Sequence, residues 1–136
     1  MIALIVDTSA LVAIAKDERG ADRLLATLVD EPAGVPAPAL VEFHRVMAAA
    51  GNRPDPNALA LLNELHPRIL PFDADAAAAA VAANEIYGSG NGRGGPLNLL
   101  DLMVYGTAKA LNLPILCTGK DFAATDAVLH PASRRD

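Results

Sequence analysis

Residues 2–15, IALIVDTSALVAIA, decide the fold of this chain. The run IALIV is short, wholly apolar and rich in β-branched side chains, which is typical of a central parallel strand buried on both faces. It ends at Asp7, and the polar residues 7–9 can cap a following helix. The apolar positions of that helix are Leu11, Val12 and Ala15. A buried strand that is followed at once by an acidic residue and then by a helix predicts an α/β fold. Asp7 would then lie at the carboxyl edge of the sheet.

Strands and helices alternate along the rest of the chain. Helices are predicted over residues 21–29, 39–50, 57–65, 74–87 and 98–111, and strands around Val35 and over residues 68–72 and 114–118. This order predicts an α/β domain with a short, mostly parallel central sheet flanked by helices. We expect a single domain over residues 1–136, with a flexible Gly-rich loop at 88–96 and a C-terminal tail at 130–136.

Composition favours a cytoplasmic protein. Hydrophobic residues make up 52% of the chain, yet no apolar run reaches the roughly 18 residues needed to span a bilayer. The start of the chain lacks the basic leader of a signal peptide, and the single cysteine, Cys117, fits a reducing compartment. A net charge of −5 argues against simple electrostatic attraction to nucleic acid. That objection weakens if four of the 16 acidic side chains bind metal, because the other 12 nearly balance the 11 basic ones.

Two acidic side chains lie where packing alone would favour apolar residues. Asp7 follows a buried strand, at the edge where α/β sheets bind ligands, although it can equally serve as a helix N-cap. Glu42 is surrounded on both sides by the apolar residues of its helix: Leu40, Val41, Phe43, Val46 and Met47. The alternative for Glu42 is a solvated glutamate at the rim of the helix. Both acids are candidates for a functional site.

Asp101 interrupts the most apolar helix of the chain, in LNLLDLMVYG. Burial of an unpaired carboxylate is costly, so Asp101 must be paired, hydrogen-bonded or bound to metal. If Asn98 is the N-cap, Asp101 is the third residue of the helix, where its carboxylate can bond back to the cap as in a capping box. A functional and a capping interpretation are therefore both open.

Asp121 follows the strand PILCT in the turn TGKD, at the same sheet edge as Asp7 if the two strands are parallel. Alone, it would be an ordinary turn residue. Four carboxylates together are more informative, because Mg²⁺ and Mn²⁺ prefer oxygen ligands and bind a few carboxylates with waters and substrate phosphate. Two such ions about 3.5–4 Å apart can activate a water and stabilise the leaving oxygen in phosphodiester cleavage.

Four segments resemble, in order, the motifs of VapC-type PIN-domain toxins: DTSAL at 7–11, the acid in VEFHRV, LNLLDLMVYGTAKALNLP and TGKDFAATD. The resemblance extends from Met1 to about Val128, and the 20-residue gap between Asp101 and Asp121 makes it specific. It implies a PIN-like parallel sheet flanked by helices and an acidic pocket for Mg²⁺, with Mn²⁺ as a substitute. It also implies an endoribonuclease toxin of a type II toxin–antitoxin system, which forms homodimers and is neutralised by a VapB-like antitoxin.

The resemblance also assigns roles to individual residues. Asp7 and Asp101 would be the principal metal ligands. Glu42 and Asp121 would complete the catalytic pocket through direct or water-mediated contacts to metal. Ser9 would hydrogen-bond a ligand or a phosphate.

The chain departs from the family pattern beside its third acid. The family usually has Gly before this acid and a small or sulfur-containing residue after it, whereas this chain has Leu100 and Leu102. We expect Leu100 to crowd the approach of the helix to the sheet. This departure and the acidic net charge favour an alternative, a non-catalytic PIN-like module that binds RNA or a protein.

The Gly-rich loop contains the spacing GxGxxG, but it follows a helix rather than a strand, so a dinucleotide site is not indicated. A flexible loop at the pocket mouth is preferred, in which Arg93 either meets an RNA phosphate or is solvated. The three histidines, His44, His66 and His130, lack zinc-like spacing and are expected to be satisfied or at the surface.

Overall fold

The computed structural model describes residues 1–49 and 51–136. The helices formed by these residues are α1 (Thr8–Ala15), α2 (Ala21–Asp30), α3 (Ala37–Ala48), α4 (Pro56–Glu64), α5 (Ala74–Tyr87) and α6 (Leu99–Leu111). The strands are β1 (Leu4–Val6), β2 (Ala33–Pro36), β3 (Arg68–Leu70) and β4 (Ile115–Leu116), and a 3-10 turn at Phe122–Ala124 follows β4. The predicted α/β class is confirmed.

The strands form a parallel sheet in the order β3-β2-β1-β4. β1 lies between β2 and β4, with Leu4 beside Ala33 and Ile5 beside Ile115. All three residues of β1 are completely buried. The prediction of a central parallel strand covered on both faces is therefore confirmed, and the residue after β1 lies at the carboxyl edge of the sheet.

Helix ends agree with prediction where the signal is local in the sequence. Asp73 is the N-cap of α5 and accepts a hydrogen bond from the Ala76 N–H at 2.9 Å. Helix α3 begins two residues earlier than predicted, at Ala37, because Pro38 fits a first helical turn, where its missing N–H is not needed. Its predicted end at Ala50 lies outside the described residues.

Strands β3 and β4 are shorter than predicted. β3 ends at Leu70, before Pro71, which has no N–H for the sheet. β4 ends at Leu116 because the next two backbone N–H groups bond to side chains. The Cys117 N–H donates to the Ser133 hydroxyl at 3.1 Å, and the Thr118 N–H donates to the Ser9 hydroxyl at 3.0 Å.

The end of the chain, expected as a tail at 130–136, is partly built into the sheet. The His130 N–H donates to the Ile115 carbonyl at 2.8 Å, and the Arg134 N–H donates to the Cys117 carbonyl at 3.1 Å. These residues run parallel to β4 along the edge that β1 does not occupy. The segment 128–134 therefore covers one edge of the sheet, a role that its proline and short apolar pattern did not predict.

Helices α5 and α6 pack closely against each other. A Cβ atom added to Gly106 of α6 would lie 2.9 Å from the Ala80 Cβ, and closer still to the carbonyl oxygen of Ala76 on α5. The glycine therefore provides the close approach of the two helices. Leu100, expected to crowd the sheet, is only half-buried and lies outside the hydrophobic core, whereas Leu102 belongs to it. The expectation for Leu100 was wrong, because α6 turns that side chain away from the core.

The Gly-rich loop joins α5 to α6 and is fastened at its base. The Ser89 N–H donates to the Leu97 carbonyl at 2.7 Å, and the Leu97 N–H donates to the Tyr87 carbonyl at 2.9 Å. The flexibility predicted for residues 88–96 stays a prediction. Within the described ranges, no helix is both long enough and apolar enough to cross a membrane.

Candidate metal centre

Asp7 lies directly after β1 and is only 6% exposed. Its Oδ2 accepts hydrogen bonds from the Ser9 N–H at 3.1 Å and from the Ser9 hydroxyl at 2.6 Å, so the N-cap interpretation is confirmed. Burial raises the pKa of Asp7 above its usual range, and the nearby negative charge of Glu42 raises it further. Asp7 therefore caps α1 and also lies close enough to Glu42 for their negative charges to interact.

Ser9 connects the carboxyl ends of two strands. Its hydroxyl donates to Asp7, after β1, and accepts from the Thr118 N–H, after β4. A hydroxyl has one proton to donate, and Asp7 receives it. The described contacts therefore make Ser9 a residue that orients the Asp7 carboxylate, and its predicted bond to a ligand or phosphate stays a prediction.

Asp101 has both of the properties that the sequence left open. It forms a capping box with Asn98: its Oδ2 accepts from the Asn98 N–H at 3.1 Å, and its own N–H donates to the Asn98 side chain at 2.9 Å. Partial burial raises the pKa of Asp101 to about 7, and the charges of Asp7, Asp121 and Glu42 contribute to that increase. The capping carboxylate is therefore also the one that lies near all the other predicted site acids.

Glu42 and Asp121 approach this pair from two other elements. Glu42, on α3, is half-buried, and its charge raises the pKa of both Asp7 and Asp101. The start of α3 is tied to α1 because the Thr8 hydroxyl donates to the Ala39 carbonyl at 3.1 Å. Asp121 is exposed, precedes the 3-10 turn after β4, and makes no capping hydrogen bond with its side chain.

The cluster, defined as Asp7, Glu42, Asp101 and Asp121, has an uncompensated negative charge. None of the ion pairs formed by the described residues includes any of these four side chains. Within the same part of the chain, no three His, Cys, Asp or Glu side chains lie close enough together to hold a metal ion between them. These two findings are compatible, because Mg²⁺ keeps several waters and usually takes only one or two protein carboxylates directly. Hard oxygen donors without a basic partner fit such a cation.

Other candidate residues lie outside this cluster. Arg93 donates from its guanidinium to the Glu85 carbonyl at 3.2 Å, at the end of α5, so its contact with substrate stays a prediction. His130 is satisfied by Glu31 and by the Ala132 N–H, as expected. Cys117 is buried, and burial raises the pKa of its thiol to about 12, which makes it a poor nucleophile.

One set of contacts beside the cluster was not predicted. The Tyr105 hydroxyl donates to Asp126 at 2.5 Å, and the Lys109 ammonium lies 3.5 Å from the same carboxylate. The spacing of Asp101, Tyr105 and Lys109, four residues apart on α6, was the available signal that they share a helix face.

A family model for the PIN domain matches residues 4–128, almost the whole chain. The chain belongs to the PIN-domain family. Among curated relatives, Ribonuclease VapC42 of Mycobacterium tuberculosis (strain H37Rv) is 38% identical over 132 residues, covering 95% of this chain and 98% of the relative. Ribonuclease VapC of Mycolicibacterium smegmatis is 36% identical over 130 residues, covering 93% of this chain and 100% of the relative. Within the PIN domains, the chain therefore belongs with the VapC ribonucleases.

Solved PIN-domain structures share the fold at much lower sequence identity. Mycobacterium tuberculosis VapC20, described as a sarcin-ricin loop cleaving toxin, superposes with a TM-score of 0.68 at 15% identity, covering 93% of this chain and 97% of that one. A chain of VapBC2 from Rickettsia felis, bound to promoter DNA, gives 0.66 at 15% identity over 94% of this chain and 96% of that one. The PIN-like arrangement predicted from the sequence is confirmed.

Proposed function

We propose that this PIN-domain protein is a Mg²⁺-dependent endoribonuclease, the toxin of a VapBC-like toxin–antitoxin pair. The observation that supports it most directly is the acidic cluster at the carboxyl ends of β1 and β4. Four carboxylates from separate elements repel one another there, without a basic partner among the described residues. A purely structural role does not account for this arrangement, because uncompensated repulsion destabilises the folded state.

The cluster would hold the cation through Asp7 and Asp101, with Glu42 and Asp121 contributing directly or through water. Mg²⁺ would bind there, and Mn²⁺ would substitute for it, because both prefer oxygen ligands. When bound, the cation supplies positive charge and Lewis acidity at a phosphodiester. It would also allow the RNA backbone to approach a pocket that otherwise repels phosphates.

The protein's own groups orient the site. Ser9 holds Oδ2 of Asp7 with two hydrogen bonds, from its N–H and from its hydroxyl, and so fixes the orientation of that carboxylate. The Asn98 N–H donates a hydrogen bond to Oδ2 of Asp101, so Oδ1 is the oxygen that can bind or release a proton. With a pKa of about 7, the Asp101 carboxyl can do either near neutral pH in the metal-free protein.

A cleavage assay tests this function. Wild-type protein should cut RNA internally in the presence of Mg²⁺ or Mn²⁺. Cleavage should stop when the metal is chelated. Asp7→Asn, which keeps size and a hydrogen-bond acceptor for Ser9, should abolish cleavage. Asp73→Asn, a capping aspartate of α5 outside the cluster, is the matched control and should cut normally. Equal cleavage by the Asp7→Asn variant would contradict the proposal.

A non-catalytic PIN-like module is the second candidate. It is favoured by the finding that no three His, Cys, Asp or Glu side chains among the described residues lie close enough together to hold a metal ion. Calorimetry with Mn²⁺ separates the two candidates. The nuclease should bind Mn²⁺ with micromolar affinity and lose that binding in Asp7→Asn, whereas a non-catalytic module has no need of the metal.

We infer that the natural partner is a VapB-like antitoxin. Solved neighbours of the same fold include toxin–antitoxin complexes, among them one from Klebsiella pneumoniae with a TM-score of 0.63 and 20% identity, covering 95% of this chain and 98% of that one. An antitoxin helix would lie in a groove beside the cluster and place a basic side chain among the acids. Binding of the antitoxin should therefore inhibit Mg²⁺-dependent cleavage of RNA. A complex that retains full cleavage activity would contradict this expectation.

A further inference from the structure

Asp121 differs from Asp7 and Asp101 in how its carboxylate is held. Asp7 is bonded by Ser9, and Asp101 is bonded by the Asn98 N–H. The Asp121 side chain is exposed and makes no capping hydrogen bond. Its position must therefore depend on the backbone around it, residues 118–126, which we term the Asp121 segment.

The first end of the Asp121 segment is fastened to the sheet. The Thr118 N–H donates to the Ser9 hydroxyl at 3.0 Å, and the Gly119 N–H donates to the Arg134 carbonyl at 2.9 Å. In the middle, the ring of Phe122 is 3% exposed and belongs to the hydrophobic core. Burial of Phe122 sets the depth of the segment, but an apolar contact is non-directional and does not set where the segment lies along α6.

The second end is fastened to helices through Asp126. The Tyr105 hydroxyl donates to Asp126 Oδ1 at 2.5 Å, and the Asp126 N–H donates to the Tyr87 hydroxyl oxygen at 3.2 Å. Lys109 lies 3.5 Å from Asp126 Oδ2, but both of these side chains are more than half exposed, so that ion pair contributes little. Tyr105 is only 5% exposed, and the bond from its hydroxyl to the charged Asp126 carboxylate is directional.

Tyr105 is one helical turn from Asp101 on the same face of α6. The helix that presents Asp101 to the cluster thus also bonds the far end of the segment that presents Asp121. The repulsion between Asp121 and Asp101 opposes this arrangement in the metal-free protein. Two residues beyond Asp126, the Val128 carbonyl accepts from the Ile115 N–H at 2.9 Å, which ties the chain to β4. The Tyr105 bond is the contact that ties the segment to α6.

We propose that Tyr105, acting through Asp126, is a positioning residue for the metal centre, because it fixes the Asp121 segment along α6 and so holds Asp121 beside Asp101. The inference rests on the proposed function, since it assigns Tyr105 a role toward that same cluster. Tyr105 itself touches neither metal nor substrate in this role.

The test uses Tyr105→Phe, which removes the hydroxyl and keeps the packed ring. The matched control is Thr107→Val on the same helix, whose lost hydroxyl donates only to the Met103 carbonyl, at 2.9 Å. Tyr105→Phe should weaken Mn²⁺ binding about tenfold, the lower end of the effect of losing an outer partner of a metal ligand. Thr107→Val should bind Mn²⁺ within about twofold of wild type.

A double-mutant cycle shows whether Tyr105 acts through Asp121. In an Asp121→Asn background, Tyr105→Phe should change Mn²⁺ affinity by no more than about twofold, because the ligand it positions is already lost. Asp126→Asn keeps an acceptor for the Tyr105 hydroxyl and should retain more affinity than Asp126→Ala. An equal loss from Tyr105→Phe in both backgrounds, or no loss in either, would overturn the proposal.

Amide hydrogen exchange supplies a readout without metal. Tyr105→Phe should accelerate exchange of the Ala124 and Asp126 amides while leaving the central amides of α6 at the rate found in Thr107→Val. Unchanged exchange at Ala124 and Asp126 would contradict the positioning role. If Asp121→Asn binds no measurable Mn²⁺, the double-mutant cycle gives no affinity to compare, and hydrogen exchange tests the positioning role instead. If wild type binds none, the proposed function fails, while the exchange result still tests the attachment.

Discussion

At the scale of single residues, Asp101 uses one carboxylate for two purposes. Its Oδ2 completes the capping box with Asn98, while Oδ1 has no hydrogen-bond partner among the described residues. The same group has a pKa of about 7 because it is partly buried and lies near three other acids. Capping favours the charged form and the cluster disfavours it, so the metal-free protein is strained at this residue near neutral pH.

Replacement of Asp101 by Asn should separate these two effects. Asn keeps an acceptor for the Asn98 N–H and removes one charge from the cluster. We expect Asp101→Asn to abolish cleavage, weaken Mn²⁺ binding and leave metal-free stability at pH 8 unchanged or higher by about 1 kcal/mol, a value reduced for partial exposure. The measurement is a pair of thermal melts, with and without Mn²⁺, beside an RNA cleavage assay. A less stable variant that still cuts RNA would show that Asp101 only caps α6.

The pKa of Asp101 also predicts a pH dependence of folding. Because the folded pKa, about 7, is above the ordinary value of 3.8, the folded state binds the extra proton. The resulting stability is fully present below pH 3.8 and is lost as pH rises through about 7. Without metal, the free energy of unfolding of wild type relative to Asp101→Asn should therefore decrease from pH 5 to pH 8. Urea denaturation of both proteins at the two pH values measures this, and a constant difference would refute it.

The sequence indicated Asp7, Glu42, Asp101 and Asp121 as candidate site residues because each one interrupts an apolar pattern or follows a buried strand. It could not predict that the Tyr105 hydroxyl bonds Asp126, because the spacing of α6 shows only that Tyr105 shares a face with Asp101. The partner lies 21 residues away, in a segment without regular periodicity. Contacts of that kind depend on how the loop returns to the helix, which no local pattern determines.

At the scale of elements, the close packing of α5 and α6 depends on Gly106. Alanine is normally the better helix former by up to about 1 kcal/mol. Here a Cβ would lie 2.9 Å from the Ala80 Cβ and still closer to a backbone oxygen of α5, so one helix would have to move. Gly106→Ala should therefore destabilise the protein by about 2 kcal/mol, as overpacking of a core does.

Gly90→Ala is the control for that prediction. Gly90 lies in the Gly-rich loop, and an added Cβ would meet nothing within 4 Å. Its urea midpoint should match wild type. If Gly106→Ala were as stable as Gly90→Ala, the close approach of α5 and α6 would not contribute to stability.

Helices were predictable as elements because caps, breakers and apolar spacing lie within a few residues of one another. Strand ends were less predictable. β4 stops where hydroxyl groups from Ser9 and Ser133 replace the next strand partner, and Ser9 is 109 residues away in sequence. Residues 130–134 were likewise expected to belong to a tail, because their attachment to β4 depends on backbone groups that every residue has.

At the scale of the whole molecule, two strongly exposed apolar side chains, Val81 on α5 and Leu99 on α6, lead us to expect a dimer. The α5–α6 face, defined as Phe72, Ala77, Val81, Leu99, Leu102 and Met103, lines a groove at the surface. Val81 is 70% exposed and Leu99 is 68% exposed, which is unfavourable for a surface that stays in water. A twofold dimer would bury this face.

Val81→Lys should therefore weaken dimerisation, whereas Val128→Lys should not. Val128 is the matched control, since it is 69% exposed and lies outside the α5–α6 face. Light scattering over a range of concentrations measures the association of both variants and wild type. A wild-type protein that stays monomeric up to about 100 µM, well above the concentrations at which specific complexes normally form, would contradict the dimer.

The two edges of the sheet differ in how they could pair with another chain. Along β4, the segment 128–134 already occupies the backbone groups. β3 lies at the other edge, but it is only three residues long and stands between Pro67 and Pro71. Short strands bordered by proline are poor templates for intermolecular β pairing and hence for amyloid-like aggregation. A cell that produces this protein in quantity should therefore accumulate it without cross-β deposits, and any association should proceed through helices.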